Sequence, residues 1–133
     1  MTPNQQEAFA TLREFALSLP EAYKGHPWGE TAVKVHKKGF IYFGFIDEER
    51  DPLRMSVKLP ESREEALCLP FAQATGYKWG NHGWVTFTFQ AEEHLPVMLL
   101  VEWIEESYRA IAPKRLVVQL DGLASSEERQ PTP

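Results

Sequence analysis

The chain has 133 residues and a mass of 15.3 kDa, and its residues are 43% hydrophobic and 25% charged. This size and composition predict one folded domain, and they exclude a collagen, a coiled coil and a wholly disordered chain. The single cysteine, Cys68, excludes an internal disulfide. There is no apolar run of about 20 residues and no signal-peptide pattern, so we expect a soluble cytoplasmic protein with no membrane partner.

The charge of the chain is negative but unevenly distributed. The net charge is −5 and the pI about 5.4, which is not typical of a protein coated in nucleic acid. Residues 24–58, however, carry seven basic and five acidic residues, a net charge of +2 that leaves −7 for the remainder. This segment is compatible with a basic face, and an ordinary solvated surface accounts for it as well.

The first half of the chain predicts a helix followed by three strands. Pro3 suits the first position of a helix that Pro20 ends, and residues 21–29 are rich in helix and strand breakers, which predicts an ordered loop. Residues 31–36 and 40–46 form a predicted hairpin around Lys37-Lys38-Gly39, where glycine would supply a positive φ. The next strand, residues 53–59, alternates apolar and polar side chains. Its apolar positions predict one buried sheet face.

The second half predicts a short helix, a strand and a long helix. Residues 60–68 read as a helix with a capping box of Ser62 and Glu65. Residues 84–89 form a predicted strand, residues 93–112 a predicted helix, and residues 116–120 a predicted short strand. Together these elements predict an α+β, two-layer sandwich in which two long helices cover one face of an antiparallel sheet. We expect a single domain over residues 1–122 and a flexible polar tail over residues 123–133.

The sequence contains no P-loop, no dinucleotide-binding glycine motif, no HExxH and no CxxC pair. We therefore expect no metal, no cofactor and no catalytic residue, and we predict that Cys68 is a buried, inert thiol. Aromatic and polar residues in the glycine-rich loops could instead wall a small-ligand pocket, or they could simply cap the edge of the core. The residues of this candidate pocket are Trp28, Lys78, Asn81, His82 and Trp84.

The polar face of the predicted sheet is a second candidate site. Alternation places cations, hydroxyls and an aromatic ring on the side away from the core, where they could contact phosphates and stack a base. The same face could form a homodimer interface, or it could be a wet sheet face without a partner. Its predicted members are Lys34, His36, Arg54, Ser56, Lys58, Trp84, Thr86 and Thr88.

Several short segments resemble the MmcQ/YjbR-like family of small bacterial proteins. They are Leu19-Pro20-Glu21-Ala22, Pro27-Trp28-Gly29, Val33-Lys34-Val35, Ser56-Val57-Lys58-Leu59, Trp84-Val85, Glu106-Ser107-Tyr108 and Lys114-Arg115-Leu116. The resemblance runs from the first helix to about Leu120. It implies a fold like that of frataxin-type and secretion-chaperone-type proteins, together with a double wing DNA-binding motif. The positions that would serve this motif are Lys34, Lys37, Lys38, Arg54, Lys58 and Lys78.

We therefore predict a non-enzymatic protein that binds DNA, or acts as a regulator, through a basic hairpin and the polar sheet face. The alternative is a homodimeric protein-interaction module, or a protein that binds a small ligand without catalysis. The hypothesis with the least support in the sequence is an enzyme with a pocket around Trp28, Lys78, Asn81 and His82.

Overall fold

The computed structural model describes residues 3–25, 31–44, 53–76, 82–90 and 93–129, without the side chains of residues 31 and 124–129. The helices and strands are, in chain order, α1 (Pro3–Ser18), β1 (Ala22–Gly25), β2 (Thr31–Val35), β3 (Lys38–Gly44), β4 (Leu53–Lys58), α2 (Arg63–Leu67), β5 (Ala72–Ala74), β6 (Trp84–Phe89), α3 (Val97–Ile111) and α4 (Lys114–Arg129). The chain is thus an α+β protein, as the sequence predicts.

The strands form one six-stranded antiparallel sheet in the order β1-β2-β3-β4-β6-β5. Helices α1 and α3 pack on one side of it, which we call the inner face. Aromatic pairs hold the two layers together: Phe9 of α1 meets Phe43 edge-on at 4.8 Å, and Trp103 of α3 stacks on Phe87 at 5.2 Å. The two-layer arrangement predicted from the sequence is confirmed.

The alternation predicted for β4 is confirmed position by position. Leu53, Met55 and Val57 are fully buried on the inner face, Arg54 is exposed, and Ser56 and Lys58 are half-buried on the opposite side. Full burial of an apolar side chain contributes about 2 kcal/mol each. A register shift by one residue would forfeit that contribution at every inward position, so the register of this strand is strongly determined.

Residues 21–29 are not a loop throughout, because residues 22–25 form the edge strand β1. Ala22 pairs with Val35 and Gly25 with Ala32. Hydrogen bonding to β2 outweighs the weak local strand preference of this segment. The remaining residues, 26–29, lie outside the described residues.

The β2–β3 turn also differs from its prediction. The positive φ, 57°, belongs to His36 rather than to Gly39. Gly39 lies inside β3, where an ideal Cβ atom would stand 2.5 Å from the ring of Tyr42. Glycine at this position therefore leaves room for the end of the Tyr42 side chain, and it does not supply the positive φ of the turn.

The capping box predicted for α2 is absent. The helix begins at Arg63, and Ser62 makes no side-chain capping bond. Ser62 Oγ instead donates to Glu106 Oε1 of α3 at 2.6 Å, and Glu106 Oε2 accepts the backbone N–H groups of Glu61 and Ser62. A carboxylate from another helix thus accepts the N–H of Ser62, which Glu65 would have bound in a capping box, together with that of Glu61. Cys68, predicted to be buried, is exposed.

The C-terminal part of the chain is helical where a strand was expected. Helix α3 begins at Val97 rather than at residue 93, because Pro96 disfavours helical backbone in the residue before it. After Pro113 the chain forms α4 in place of the strand predicted at 116–120, and the Pro113 carbonyl accepts the N–H groups of Leu116 and Val117. The boundary placed between residues 122 and 123 falls inside this helix, and residues 123–129 are helical.

Candidate functional site

The side of the sheet that faces away from α1 and α3 carries seven of the eight residues predicted for the polar face. The eighth, His36, lies instead in the β2–β3 turn. We call this side of the sheet the outer face and define it by Lys34, Tyr42, Arg54, Ser56, Lys58, Trp84, Thr86 and Thr88. The pairing register places these positions on one side of neighbouring strands: Tyr42 is opposite Ser56, Ser56 opposite Thr86, Arg54 opposite Thr88, and Lys58 opposite Trp84.

Three cations surround this face. Arg54 is exposed, and Lys34 and Lys58 are half-buried. Arg54 and Lys58 lie four residues apart on one strand, a separation of about 13 Å, and Lys34 lies two strands from Lys58, about 10 Å away. The outer face can therefore present positive charge at three separated points.

Two glycines make room for the long side chains of this face. An ideal Cβ atom on Gly25 would stand 2.7 Å from Cδ of Lys34, so the aliphatic part of the lysine lies directly over the backbone of β1. The ring of Tyr42 lies over Gly39 in the same way, and its centroid is 5.7 Å from that of Trp84. Trp84 is only 5% exposed. Tyr42, which the sequence analysis did not single out, therefore presents the more accessible aromatic ring.

The centre of the outer face is a row of hydroxyl groups. Ser56 Oγ is 2.8 Å from Thr86 Oγ1, which is 2.9 Å from Thr75 Oγ1. Among the residues that the structure describes, these hydroxyls bond to one another and not to a histidine or a carboxylate. This arrangement is not that of a nucleophile paired with a base. Among the described residues, no group of three His, Cys, Asp or Glu side chains could hold a metal ion.

The charges are separated between the two layers of the molecule. The six strands carry five basic residues (Lys24, Lys34, Lys38, Arg54 and Lys58) and no acidic residue. Helices α1, α2 and α3 carry seven acidic and three basic residues. The basic character suspected for residues 24–58 thus belongs to the sheet layer as a whole.

The β2–β3 turn adds two further cations at one end of the sheet. Lys37 and Lys38 are exposed, and the turn is tied to β1 because Tyr23 donates its hydroxyl proton to the carbonyl of His36. The predicted residues Lys34, Lys37, Lys38, Arg54 and Lys58 therefore all lie on the sheet layer or its turn.

The start of β1, next to this turn, is held by a salt bridge. Glu21, whose φ is 57°, forms a two-pronged ion pair with Arg115 of α4 at 2.7 and 3.2 Å. The bonds from Arg115 hold the pKa of the Glu21 carboxyl below its usual value. Next to it, Tyr108 donates to the carbonyl of Pro20 at 2.8 Å, and burial, aided by the charge of Glu21, raises the pKa of that phenol. These contacts fix the turn-bearing end of the sheet.

The loop pocket predicted from the sequence is only partly covered by the structure. His82 is exposed just before β6, and Trp84 is buried against Tyr42. Trp28, Lys78 and Asn81 lie outside the described residues.

No helix in the described ranges combines the length and apolar character needed to cross a bilayer.

Comparison with known proteins places the chain among small proteins of the same fold. The family model described as YjbR matches residues 17–110. The chain is 29% identical to a solved structure described as "Deinococcus radiodurans protein DR2400, family-model domain DUF419", with a TM-score of 0.62, over 80% of this chain and 79% of that one. A search of curated proteins gives no match. The matched range includes every outer-face residue, whereas α4 lies beyond it.

Proposed function

The chain belongs to the YjbR family, and we propose that it binds DNA through phosphate contacts made by the outer face and the β2–β3 turn. The observation that supports the proposal is the separation of charge between the layers. The strands carry five cations, three of them on the outer face, and no carboxylate, against seven carboxylates on α1, α2 and α3. Contacts between cationic side chains and phosphates provide most of the non-specific affinity for nucleic acid.

The negative net charge does not prevent such binding. The carboxylates of α1 and α3 lie on the other side of the sheet. The Debye length is about 8 Å at physiological ionic strength. Charges on the opposite layer are therefore largely screened from a polymer on the outer face. At low salt the same carboxylates repel DNA from the helical side, which favours approach from the sheet side.

The outer face suits an unpaired strand. Lys58 lies about 13 Å from Arg54 and about 10 Å from Lys34, so the three cations can contact different phosphates of one strand. The half-buried ring of Tyr42 can stack on a base, and every base offers a π-face for such stacking. Lys37 and Lys38 extend the cationic surface beyond the sheet as one wing of the double wing motif. The second wing, at Lys78, lies outside the described residues.

A salt titration of the binding constant tests this proposal. Fluorescence anisotropy with a labelled single-stranded oligonucleotide would compare the wild type with the double variant Arg54→Gln and Lys58→Gln. The matched control, Arg13→Gln with Lys114→Gln, removes the same charge from α1 and α4. We expect the outer-face variant to weaken binding and to lower the slope of log K against log salt by about 0.7 for each lost phosphate contact.

Two results would overturn the proposal. One is a binding constant that responds equally to the outer-face variant and the control. The other is a homodimer that buries the outer face, seen by sedimentation at micromolar concentration and tighter in the outer-face variant, which lacks two of the like charges. Such a dimer would bring the cations of two copies together without a counter-charge on the described strands, so we expect a monomer.

A further inference from the structure

A cleft of about 390 Å³ opens at the β5–β6 edge of the sheet. Pro70 and Phe71 form an apolar wall, and Gln73, Thr88, Gln90 and Glu93 supply hydroxyl, amide and carboxylate groups. This volume lies within the range of about 300 to 1,000 Å³ that is usual for small-ligand sites. Four of its seven lining residues are polar, so its lining is more polar than that of most such sites.

The apolar wall of the cleft is held by the core. The ring of Phe71 packs on Phe89 at 4.7 Å and on Phe87 at 5.9 Å. The backbone carbonyl of Phe71 accepts the N–H of Thr88 at 2.9 Å, so the backbone before β5 is bonded to β6. Little ordering of this wall would be needed when a ligand enters.

The polar side of the cleft is held from within the protein. Gln5 of α1 is 2% exposed, and its side-chain amide donates to the carbonyl of Glu93 at 2.9 Å and to that of Gln90. The N–H of Gln90 donates to Glu93 Oε1 at 2.9 Å, which orients the carboxylate. A buried amide thus fixes the two residues whose side chains supply most of the polar groups.

The cleft borders the outer face. Thr88, which lines it, is the register partner of Arg54. A strand whose phosphate contacts Arg54 would therefore carry a base towards the cleft. We propose that the cleft receives one unpaired base of the bound strand and that it favours guanine, an inference that rests on the proposed function.

The preference follows from the hydrogen-bonding groups of the cleft. An ionised carboxylate only accepts hydrogen bonds, so Glu93 requires a donor edge on its ligand. Guanine offers two adjacent donors, N1–H and N2–H, and beside them the acceptor O6, which an amide of Gln73 or Gln90 can satisfy. Adenine and cytosine offer one amino group each. Thymine offers a single N–H between two carbonyl oxygens, which would face the carboxylate.

The test compares labelled oligothymidines of about 15 nucleotides that carry at their centre either thymidine, adenosine or guanosine. We expect the guanosine-containing strand to bind about fivefold more tightly than pure oligothymidine, with the adenosine-containing strand in between. Glu93→Gln should abolish the preference and leave a salt-dependent affinity for oligothymidine. Glu102→Gln, an equal change of charge on the exposed side of α3, should retain it. Gln73 lies on the exposed edge strand β5, and its amide can bond to guanine O6. Gln73→Ala should therefore reduce the preference for guanosine.

The outcomes separate the cleft from the outer face. Equal affinity for the three strands would overturn the proposal for the cleft. So would a preference for guanosine that persists in a Glu93→Gln variant whose melting temperature is unchanged. Either result would leave the outer-face proposal standing. If none of the strands binds, both proposals fail.

Discussion

The backbone N–H of Lys58 donates a hydrogen bond to Oγ of Ser107 on α3, at 2.9 Å. The same hydroxyl donates to the carbonyl of Phe40. Phe40 is a residue of β3 that has no register partner on either β2 or β4. A fully buried side chain of the helical layer therefore completes the hydrogen bonding of the sheet where β3 and β4 separate. It also fixes the end of β4 that carries an outer-face cation.

Replacing Ser107 by alanine should destabilise the protein. The variant leaves a donor and an acceptor without a partner in the core, at a cost of about 1 to 3 kcal/mol. Urea unfolding measures this loss. Ser18→Ala, which removes an exposed hydroxyl bonded within α1, should change the free energy of unfolding by less than about 0.5 kcal/mol. Equal effects of the two variants would contradict the role assigned to Ser107.

Gly39→Ala should be far more costly than Gly76→Ala. At Gly39 the added methyl group meets the ring of Tyr42, whereas no atom lies within 4 Å of the corresponding position at Gly76. Overpacking of this kind costs about 1 to 3 kcal/mol. Thermal unfolding compares the two variants, and in a Tyr42→Ala background the cost of Gly39→Ala should fall. A cost that does not change in that background would show that Tyr42 is not the obstacle.

Much of this fold can be predicted from local patterns, and the exceptions have a common physical cause. The alternation of β4 and the periodicity of α3 identify their buried faces, because burial imposes the period of the element on its apolar residues. β1 and β5 carry no such signal: they are edge strands of four and three residues, formed by pairing with partners distant in sequence. Ser62 likewise has the local sequence of a cap, but its hydroxyl donates to Glu106 on another helix and accepts no N–H of α2.

The candidate site was predictable to a similar extent. Lys34, Arg54 and Lys58 follow from strand alternation alone. The cleft could not be predicted, because β5 was not recognised and Gln73 meets Thr88 and Glu93 only through the tertiary fold. A glutamine buried in α1 is the one local signal that points to this region, since a buried amide must find partners.

Glu106→Ala should destabilise the start of α2. The carboxylate accepts three hydrogen bonds, two from the backbone of residues 61 and 62 and one from the hydroxyl of Ser62. Bonds to a charged acceptor contribute more than neutral ones, so we expect a loss of about 2 kcal/mol in urea unfolding. Glu105→Ala, which removes only a half-exposed ion pair with Arg109, is the matched control and should cost less than about 0.5 kcal/mol. A larger loss for Glu105→Ala would refute the capping role.

Tyr108 predicts a dependence of stability on alkaline pH. Burial raises the pKa of its phenol above the ordinary 10.0, so the folded state holds the proton more tightly than the unfolded state. The stabilisation is complete below the unfolded pKa and is lost as the pH rises through the folded one. Tyr108→Phe, which lacks the bond to Pro20, should be less stable than the wild type at neutral pH, and the difference should shrink above pH 10. Unfolding curves that remain equally separated at every pH would rule this out.

The most direct test of the outer face is an amide chemical-shift map of the ¹⁵N-labelled protein titrated with single-stranded DNA. If the outer face binds the strand, the amides of Lys34, Arg54, Ser56 and Lys58 shift progressively, and those on the exposed sides of α1 and α3 do not. Shifts confined to the helices, with the strand amides unmoved at saturation, would contradict the account.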